Sequence, residues 1–438
     1  MTFRFGILAL LLLTASAHGH PVAPEDRNAA QLRRQRLIAT LGNEYALLFA
    51  QPFTDVSQPR QHGDFVYLTS VREPGGLLLL AGQKTPGFDS GAGAGTPERA
   101  LLYLPTLGAR ARQFMALDFA PDATTRERLG LSLRALPRRH RPFAVVLATL
   151  LPKDATLRLP RYRSGDDSLV RERKTNLLAA LRRARPDIKI ADLDPLTAPM
   201  RAIKDATELA HLRQAIAITV GAFEAAVPEI RAQGSEAAID GAMLGFIRRR
   251  GAYPAFPFVI GSGRDAARPH YFLNRKPLPA NSLVVIDAGA AVERYAADIT
   301  RTFPISGRFS ARQRTVYDAV LQAQRAAIGT VRPGVTLNEV HKAAKQVLDE
   351  LQLGAYFIHG TSHHVGLDAH DPTPAGPLAA GMTITVEPGV YILAERIGVR
   401  IEDIVLVTED GCEVLTNALP TKASAVERFL ARKRVSAK

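Results

Sequence analysis

Five residues between positions 283 and 402 have the types and the setting for metal chemistry: Asp287, Asp298, His363, Glu387 and Glu402. They comprise four carboxylates and one imidazole, each in or beside an apolar run expected to be a buried strand or a tight turn. A carboxylate that ends a run such as Leu283-Val284-Val285-Ile286-Asp287 must be paired, hydrogen-bonded or bound to a cation, because burying it bare is costly. Taken singly, each has a plainer explanation: an Asp at a strand end forms turns or caps helices, and a Glu before Pro-Gly belongs to a turn. Together they call for a positive partner.

The elements that must position them follow from the residue pattern. The run ending at Asp287 and the β-branched run 298–303 are separated by the short connection 290–295, so they can pair antiparallel with both Asp side chains on one face. Glu387 closes a strand expected over 382–386. Arg400 and Glu402 share the parity of a strand expected over 399–407 and project to one side. Two hairpins thus each carry a pair of carboxylates. Oxygen-rich ligation with a single imidazole suits a hard or borderline divalent ion such as Mn²⁺. Two such ions balance four carboxylates and, about 3.5–4 Å apart, form a clamp that activates a bridging water.

The strings around these residues are Val285-Ile286-Asp287-Ala288-Gly289, Asp298-Ile299-Thr300-Arg301-Thr302-Phe303-Pro304, His359-Gly360-Thr361-Ser362-His363, Gly366-Leu367-Asp368-Ala369-His370-Asp371, Glu387-Pro388-Gly389-Val390-Tyr391 and Gly398-Val399-Arg400-Ile401-Glu402-Asp403. In order and spacing they resemble the metallopeptidases of creatinase-like pita-bread fold, in the proline-specific branch of aminopeptidase P and prolidase. The resemblance covers roughly residues 200–415. It implies that Asp287, Asp298, His363, Glu387 and Glu402 ligate two divalent ions, with Asp298 and Glu402 bridging, Asp287 on one ion, and His363 with Glu387 on the other. It further implies that Glu387 relays a proton, that His370 and His270 stabilise developing negative charge, and that His359 belongs to the same catalytic segment. Arg400 is placed to support the ligands or meet a substrate carboxylate, and Tyr391 to contact substrate. His364 falls outside the ligand pattern and is expected to pack or face solvent, and His341 is expected to face solvent.

The implied activity is removal of the N-terminal residue from peptides with proline in second position. The alternatives are an Xaa-Pro dipeptidase of the prolidase type, a metal-free binding homologue, and a metal-independent creatinase. All five ligand positions are intact, which weighs against the last two. The segment 60–69, with His62-Gly63-Asp64-Phe65 at its centre, is similar to a motif in the N-terminal domain of aminopeptidase P and favours the aminopeptidase.

At 438 residues the chain is long for one hydrophobic core. Arg4 followed by an apolar run over 5–13 and Thr14-Ala15-Ser16-Ala17 has the form of a signal peptide, too short to span a bilayer, so residues 1–17 are expected to be removed. Export to a periplasmic or secreted location is the expectation, with no stable membrane insertion after processing. The single cysteine, Cys412, allows no intrachain disulfide and is assigned no role. The net charge of +14 is concentrated in residues 121–190, which hold 17 Lys or Arg against 7 Asp or Glu. Few aromatics accompany them and the charges spread as on a solvated helix face, so nucleic acid is not expected as a partner. A homo-oligomer is compatible with the sequence.

Residues 18–195 are expected to form an N-terminal α/β domain and 196–438 a pita-bread catalytic domain of α+β type. Residues 18–28 suggest a frayed terminus and 29–41 a basic amphipathic helix. Strands are expected over 45–50, 65–68, 76–80, 100–105 and 143–150, a helix over 168–185, and a surface loop over 83–97. Residues 192–198, with Pro195 inside the segment and Pro199 directly after it, suggest a linker. Asp205-Ala206-Thr207-Glu208, Ser310-Ala311-Arg312-Gln313 and Thr336-Leu337-Asn338-Glu339 each have the form of a capping box opening a helix, the first running to about 232. A helix pair ahead of each carboxylate hairpin suggests two related halves.

Overall fold

The structure, a computed structural model, describes residues 22–51, 62–86, 88, 99–110, 113, 119–136, 140–161 and 168–435. The segment expected as signal peptide, residues 1–17, lies outside them, as do parts of the loop 83–97 and the first two residues of the segment 60–69. The chain divides into two compact units, residues 1–158 with 162–190, and residues 159–161 with 191–438.

The first unit is built on a six-stranded sheet in the order Ser132–Leu136, Ala100–Pro105, Leu77–Ala81, Tyr45–Phe49, Thr156–Leu159, Lys189–Asp192. Its three central strands are almost wholly buried Leu, Tyr, Ala and Phe, as strands covered on both faces must be. The α/β class is as expected, but two strand assignments give way to helices. Gly63–Thr69 is a helix buried throughout, in which Thr69 Oγ1 donates to Phe65 O at 2.6 Å and Ser70 closes it in the left-handed region. His140–Leu150 is also a helix, with Phe143, Ala144 and Leu147 buried and Val145 58% exposed. A short apolar segment carries no period that separates buried helix from strand. Three strands went unrecognised, Ser132–Leu136, Thr156–Leu159 and Lys189–Asp192, because each is short and carries a charged residue. The first helix starts at Pro24, earlier than the frayed terminus expected over 18–28.

In the second unit, the linker expected over 192–198 is the helix Asp194–Ala202. Pro195 stands in its first turn, where no amide hydrogen is needed. The three expected capping boxes are all present and open Ala206–Ala226, Ala311–Thr330 and Leu337–Glu350. The first of these helices stops at Ala226, short of 232, and gives way to a 3₁₀ turn containing Pro228. With Glu236–Arg248 the helices form two pairs. Ala206–Ala226 and Glu236–Arg248 precede the sheet of Val259–Ser262, Leu283–Ala288 and Ile299–Pro304; Ala311–Thr330 and Leu337–Glu350 precede the strands Thr383–Val386, Gly389–Ile392, Ile397–Arg400 and Asp403–Val407. Leu283–Ala288 and Ile299–Pro304 pair antiparallel, as expected, and a small hairpin of Ala290–Val292 and Tyr295–Ala296 fills the connection. The single strand expected over 399–407 is broken at Ile401 and Glu402. Its first part pairs with Gly389–Ile392 and its second with Thr383–Val386.

One buried ion pair sits behind that break. The Arg301 guanidinium, fully buried, donates from Nη2 to Asp403 Oδ1 at 2.6 Å and from Nη1 to the carbonyls of Thr300 and Glu402. Gln324 Nε2 donates to Asp403 Oδ2 at 2.9 Å, and Thr416 Oγ1 donates to Asp403 Oδ1. Removing the cation strands a buried carboxylate, which costs about 3–5 kcal/mol. Arg301→Ala is therefore expected to lower the unfolding free energy by about that amount in a urea titration; a loss below about 1 kcal/mol, the value of an exposed pair, would refute the structural role.

Candidate metal centre

Strand parity puts Asp287, Asp298 and Thr300 on one face. Asp287 pairs directly with Thr300 across the ladder, and Asp298 stands two residues before Thr300, immediately ahead of the same strand. Thr300 Oγ1 donates to Glu402 Oε2 at 2.7 Å, and Glu402 N–H donates to Thr300 O at 3.1 Å. The break at Ile401 and Glu402 thereby lets Glu402 turn toward the first hairpin. His363 arrives by another route. Residues 361–365 lie alongside Thr383–Val386, with Thr385 N–H donating to His363 O at 2.9 Å, Glu387 N–H to Thr361 O at 2.8 Å and Thr383 Oγ1 to Val365 O at 2.6 Å. This sets His363 beside Glu387, its Nε2 3.3 Å from Glu387 Oε1 and 3.7 Å from Asp298 Oδ2.

Asp298, His363 and Glu402 each offer a ligand atom within 4.8 Å of the other two. Asp287 and Glu387 border this group, Asp287 against Asp298 and Glu387 against His363. Three observations fit a cation here. Asp287 Oδ1 is buried without a hydrogen-bond partner. His363 Nδ1 donates to His364 O at 3.0 Å, which leaves Nε2 facing the carboxylates. The donor set is oxygen-rich with one imidazole, the choice of hard or borderline divalent ions.

The electrostatics agree. Burial, then the neighbouring carboxylates, push Asp298 and Glu402 well above the usual carboxylate range. Burial also raises Asp287, although Arg400 opposes it. Glu387 differs: burial would raise it, but the hydrogen bond and charge of His363, with the charges of His359 and Arg400, together hold it below its ordinary value. Burial would lower His363, but Glu387, the His364 carbonyl and Asp287 together raise it.

Arg400 is the organic cation of the site. Its Nη2 donates to Asp287 Oδ2 at 2.7 Å, Nε to Thr300 Oγ1 at 3.0 Å and Nη1 to the Tyr391 hydroxyl at 2.9 Å. His359 Nε2 lies 2.9 Å from the same hydroxyl, and burial lowers its pKa. Tyr391 is buried, which pushes its phenol up to about 12. The phenol lies so close to Gly389 that a Cβ there would stand 2.4 Å from its oxygen, which explains the glycine after Pro388. The His370 ring stacks on His363 with centroids 3.8 Å apart. His270 is exposed, stacks on Phe272, and is near enough for its charge to act on His359.

One histidine is placed differently from expectation, and another packs as one of its two expected settings allowed. His341 does not face solvent: it is half-buried, its Nδ1 2.9 Å from Thr361 Oγ1 and its ring against Phe357. His364 packs in the interior at 2% exposure, where burial and then Lys204 lower its pKa to about 4. Thr300, Thr385, Arg201 and Asp371, which also shape the site, were not singled out by sequence reasoning. The alternation Asp298-Ile299-Thr300 carried the signal for Thr300; nothing local marked the others.

The chain is similar to known proteins. Residues 210–409 match the model of metallopeptidase family M24. The chain is 31% identical to the Xaa-Pro aminopeptidase of Haemophilus influenzae, over 91% of this chain and 96% of that protein. It is 37% identical to the Xaa-Pro dipeptidase of Pyrococcus furiosus, over 51% of this chain and 66% of that protein. The solved structure of aminopeptidase P from E. coli with the inhibitor Pro-Leu superposes with a TM-score of 0.80 at 30% identity, covering 93% of this chain and 99% of that one. Similarity sustained through both units, and not only through the metal-binding half, places the protein: the chain belongs to metallopeptidase family M24, among its aminopeptidases.

Proposed function

We propose that the protein is a manganese-dependent Xaa-Pro aminopeptidase, using two divalent ions to remove the N-terminal residue from peptides with proline in second position. The observation that carries this reading is the convergence of Asp298, His363 and Glu402 within 4.8 Å, with Asp287 and Glu387 at its border. Asp298 and Glu402 would bridge the ions, Asp287 would hold one, and His363 with Glu387 the other. When bound, such ions supply an activated water nucleophile and polarise the scissile carbonyl. Glu387 takes the proton of the attacking water and returns it to the departing proline nitrogen. His370 and His270 donate to the oxyanion that develops on the carbonyl oxygen. His359, bonded to Tyr391, faces the same space and orients substrate.

The Xaa-Pro bond has no amide hydrogen, so a hydrolase that relies on pairing with the substrate backbone handles it poorly. The dipeptidase reading needs a cation free to meet the proline carboxylate. Arg400 engages Asp287, Tyr391 and Thr300 through its three guanidinium nitrogens and is 3% exposed. It therefore supports the ligands rather than a substrate carboxylate, which favours an aminopeptidase. Export, with the mature chain beginning near His18, is part of the same proposal and rests on the leader-like residues 1–17.

Asp298→Ala and Glu402→Ala are expected to lose bound metal and activity together, kcat falling by more than about 100-fold, beyond the cost of losing an outer-shell partner alone. Glu387→Gln is expected to lose activity while retaining some metal. Elemental analysis of protein purified without chelator, with a parallel assay, checks both; full activity and unchanged ion content in either bridging variant contradict the assignment. Xaa-Pro-Xaa tripeptides are expected to be cleaved, and cleavage confined to Xaa-Pro dipeptides would show a prolidase instead. N-terminal sequencing of the native protein is expected to begin near His18, and a start at Met1 or Thr2 would rule out processing.

A further inference from the structure

The segment that carries His363 and His370 has one isolated antiparallel bridge, His364 to Ile384, and no strand or helix of its own, so its histidines must be held by more than a continuous ladder. A buried cluster of charges lies beneath it. Asp371, 3% exposed, accepts at Oδ1 from the Arg201 guanidinium and from the Asp368 N–H at 3.0 Å, and its Oδ2 lies 3.4 Å from Lys204 Nζ. Arg201 Nη2 also donates to Asp368 Oδ2 at 2.7 Å, and Arg294 Nη2 donates to the other oxygen of Asp368 at 3.2 Å. Arg294 sits in a hairpin turn where both it and Glu293 adopt positive φ, 72° and 49°, a conformation that favours glycine. The Asp371 N–H donates to His364 O at 2.9 Å, the same carbonyl that receives His363 Nδ1–H. Gly366 closes the cluster so tightly that a Cβ there would lie 2.4 Å from Asp371 Oδ2 and 2.8 Å from Lys204 Cε.

We propose that Arg201 and Asp371 are positioning residues that orient His363 and the His370 ring stacked on it. Asp371 holds the His364 carbonyl in place. That carbonyl holds Nδ1–H of His363 and so aims Nε2 at Asp298 and Glu387. Arg201 fixes Asp371 and Asp368 from the helix Asp194–Ala202, outside the histidine segment and outside the strands that carry the carboxylates. The proposal rests on the reading of His363 as a metal ligand, for which an orienting partner of this kind is worth about 10- to 100-fold in metal affinity.

Removing one charge alone leaves the other buried and uncompensated, which threatens the fold. The test therefore uses the neutral pair Arg201→Met with Asp371→Asn, and separately the wedge Gly366→Ala, in the full chain. Metal-stripped protein is titrated with Mn²⁺ by calorimetry, and amide hydrogen exchange is followed in the metal-free form. Expected are Mn²⁺ binding weaker by about 10- to 100-fold, a kcat loss on Xaa-Pro-Xaa tripeptides with little change in KM, and faster exchange over residues 359–372 with none over Ala311–Thr330. Mn²⁺ affinity within about twofold of the parent protein, well short of that range, overturns the proposal, as does faster exchange spread evenly over the whole unit. Should the parent protein itself take up no Mn²⁺, the ligand reading fails, and the exchange comparison alone decides the positioning: unchanged exchange over 359–372 overturns it.

Discussion

Four carboxylates brought to one buried place repel one another and lose their water, and the second unit is arranged around that problem. Burial and mutual repulsion push Asp298 and Glu402 well above the ordinary carboxylate range. Arg400 and His363 supply part of the opposing charge, at Asp287 and Glu387 respectively. What they leave uncompensated is concentrated on Asp298 and Glu402, and Asp287 Oδ1 remains without a partner. A site in that state has a strong preference for a multivalent cation over any further side chain.

The surrounding structure serves to keep these groups from relaxing apart. Threonines do much of this. Thr300 bridges Glu402 and Arg400, Thr302 exchanges hydrogen bonds with the Arg400 backbone, and Thr385 receives the His363 N–H. Each is a β-branched residue that suits a strand and also offers a hydroxyl toward the acids. Behind them the Arg301 and Asp403 pair anchors the break at Ile401 and Glu402. That break is what lets one length of chain join two hairpins and aim Glu402 at the other three acids.

The carboxylates stand on or beside strands, whereas the histidines stand on irregular segments. Four of the five proposed ligands thus rest on the stiffer support, which suits the small displacement that a cation tolerates, and His363 reaches the site from an irregular segment. Groups that meet a substrate need backbone that can approach it, which loops allow. The histidine segment nonetheless is not loose. It is tied to Thr383–Val386 on one side and to the charges of Arg201, Lys204 and Arg294 on the other. Each half of the unit presents its acids after a pair of capped helices, so the site forms where two similar constructions meet.

The sequence by itself determined the chemistry. Acids inside apolar runs are so costly that Asp287, Asp298, Glu387 and Glu402 together call for a positive partner, and the capping boxes at Asp205, Ser310 and Thr336 are local enough to be legible without tertiary context. The α/β character of the first unit followed from its apolar strands, yet residues 65–69 and 140–150 proved helical, because in short apolar segments burial, not periodicity, decides between helix and strand. Only the tertiary structure decided which groups meet across long separations. Thr300 with Glu402, Arg201 with Asp371, and His341 with Thr361 are contacts set by packing, and no local pattern encodes them. The break at Ile401 and Glu402 belongs with these, since a continuous strand satisfies the residue pattern equally well, and only the need to hydrogen-bond Glu402 to Thr300 and its backbone to Arg301 ends it there.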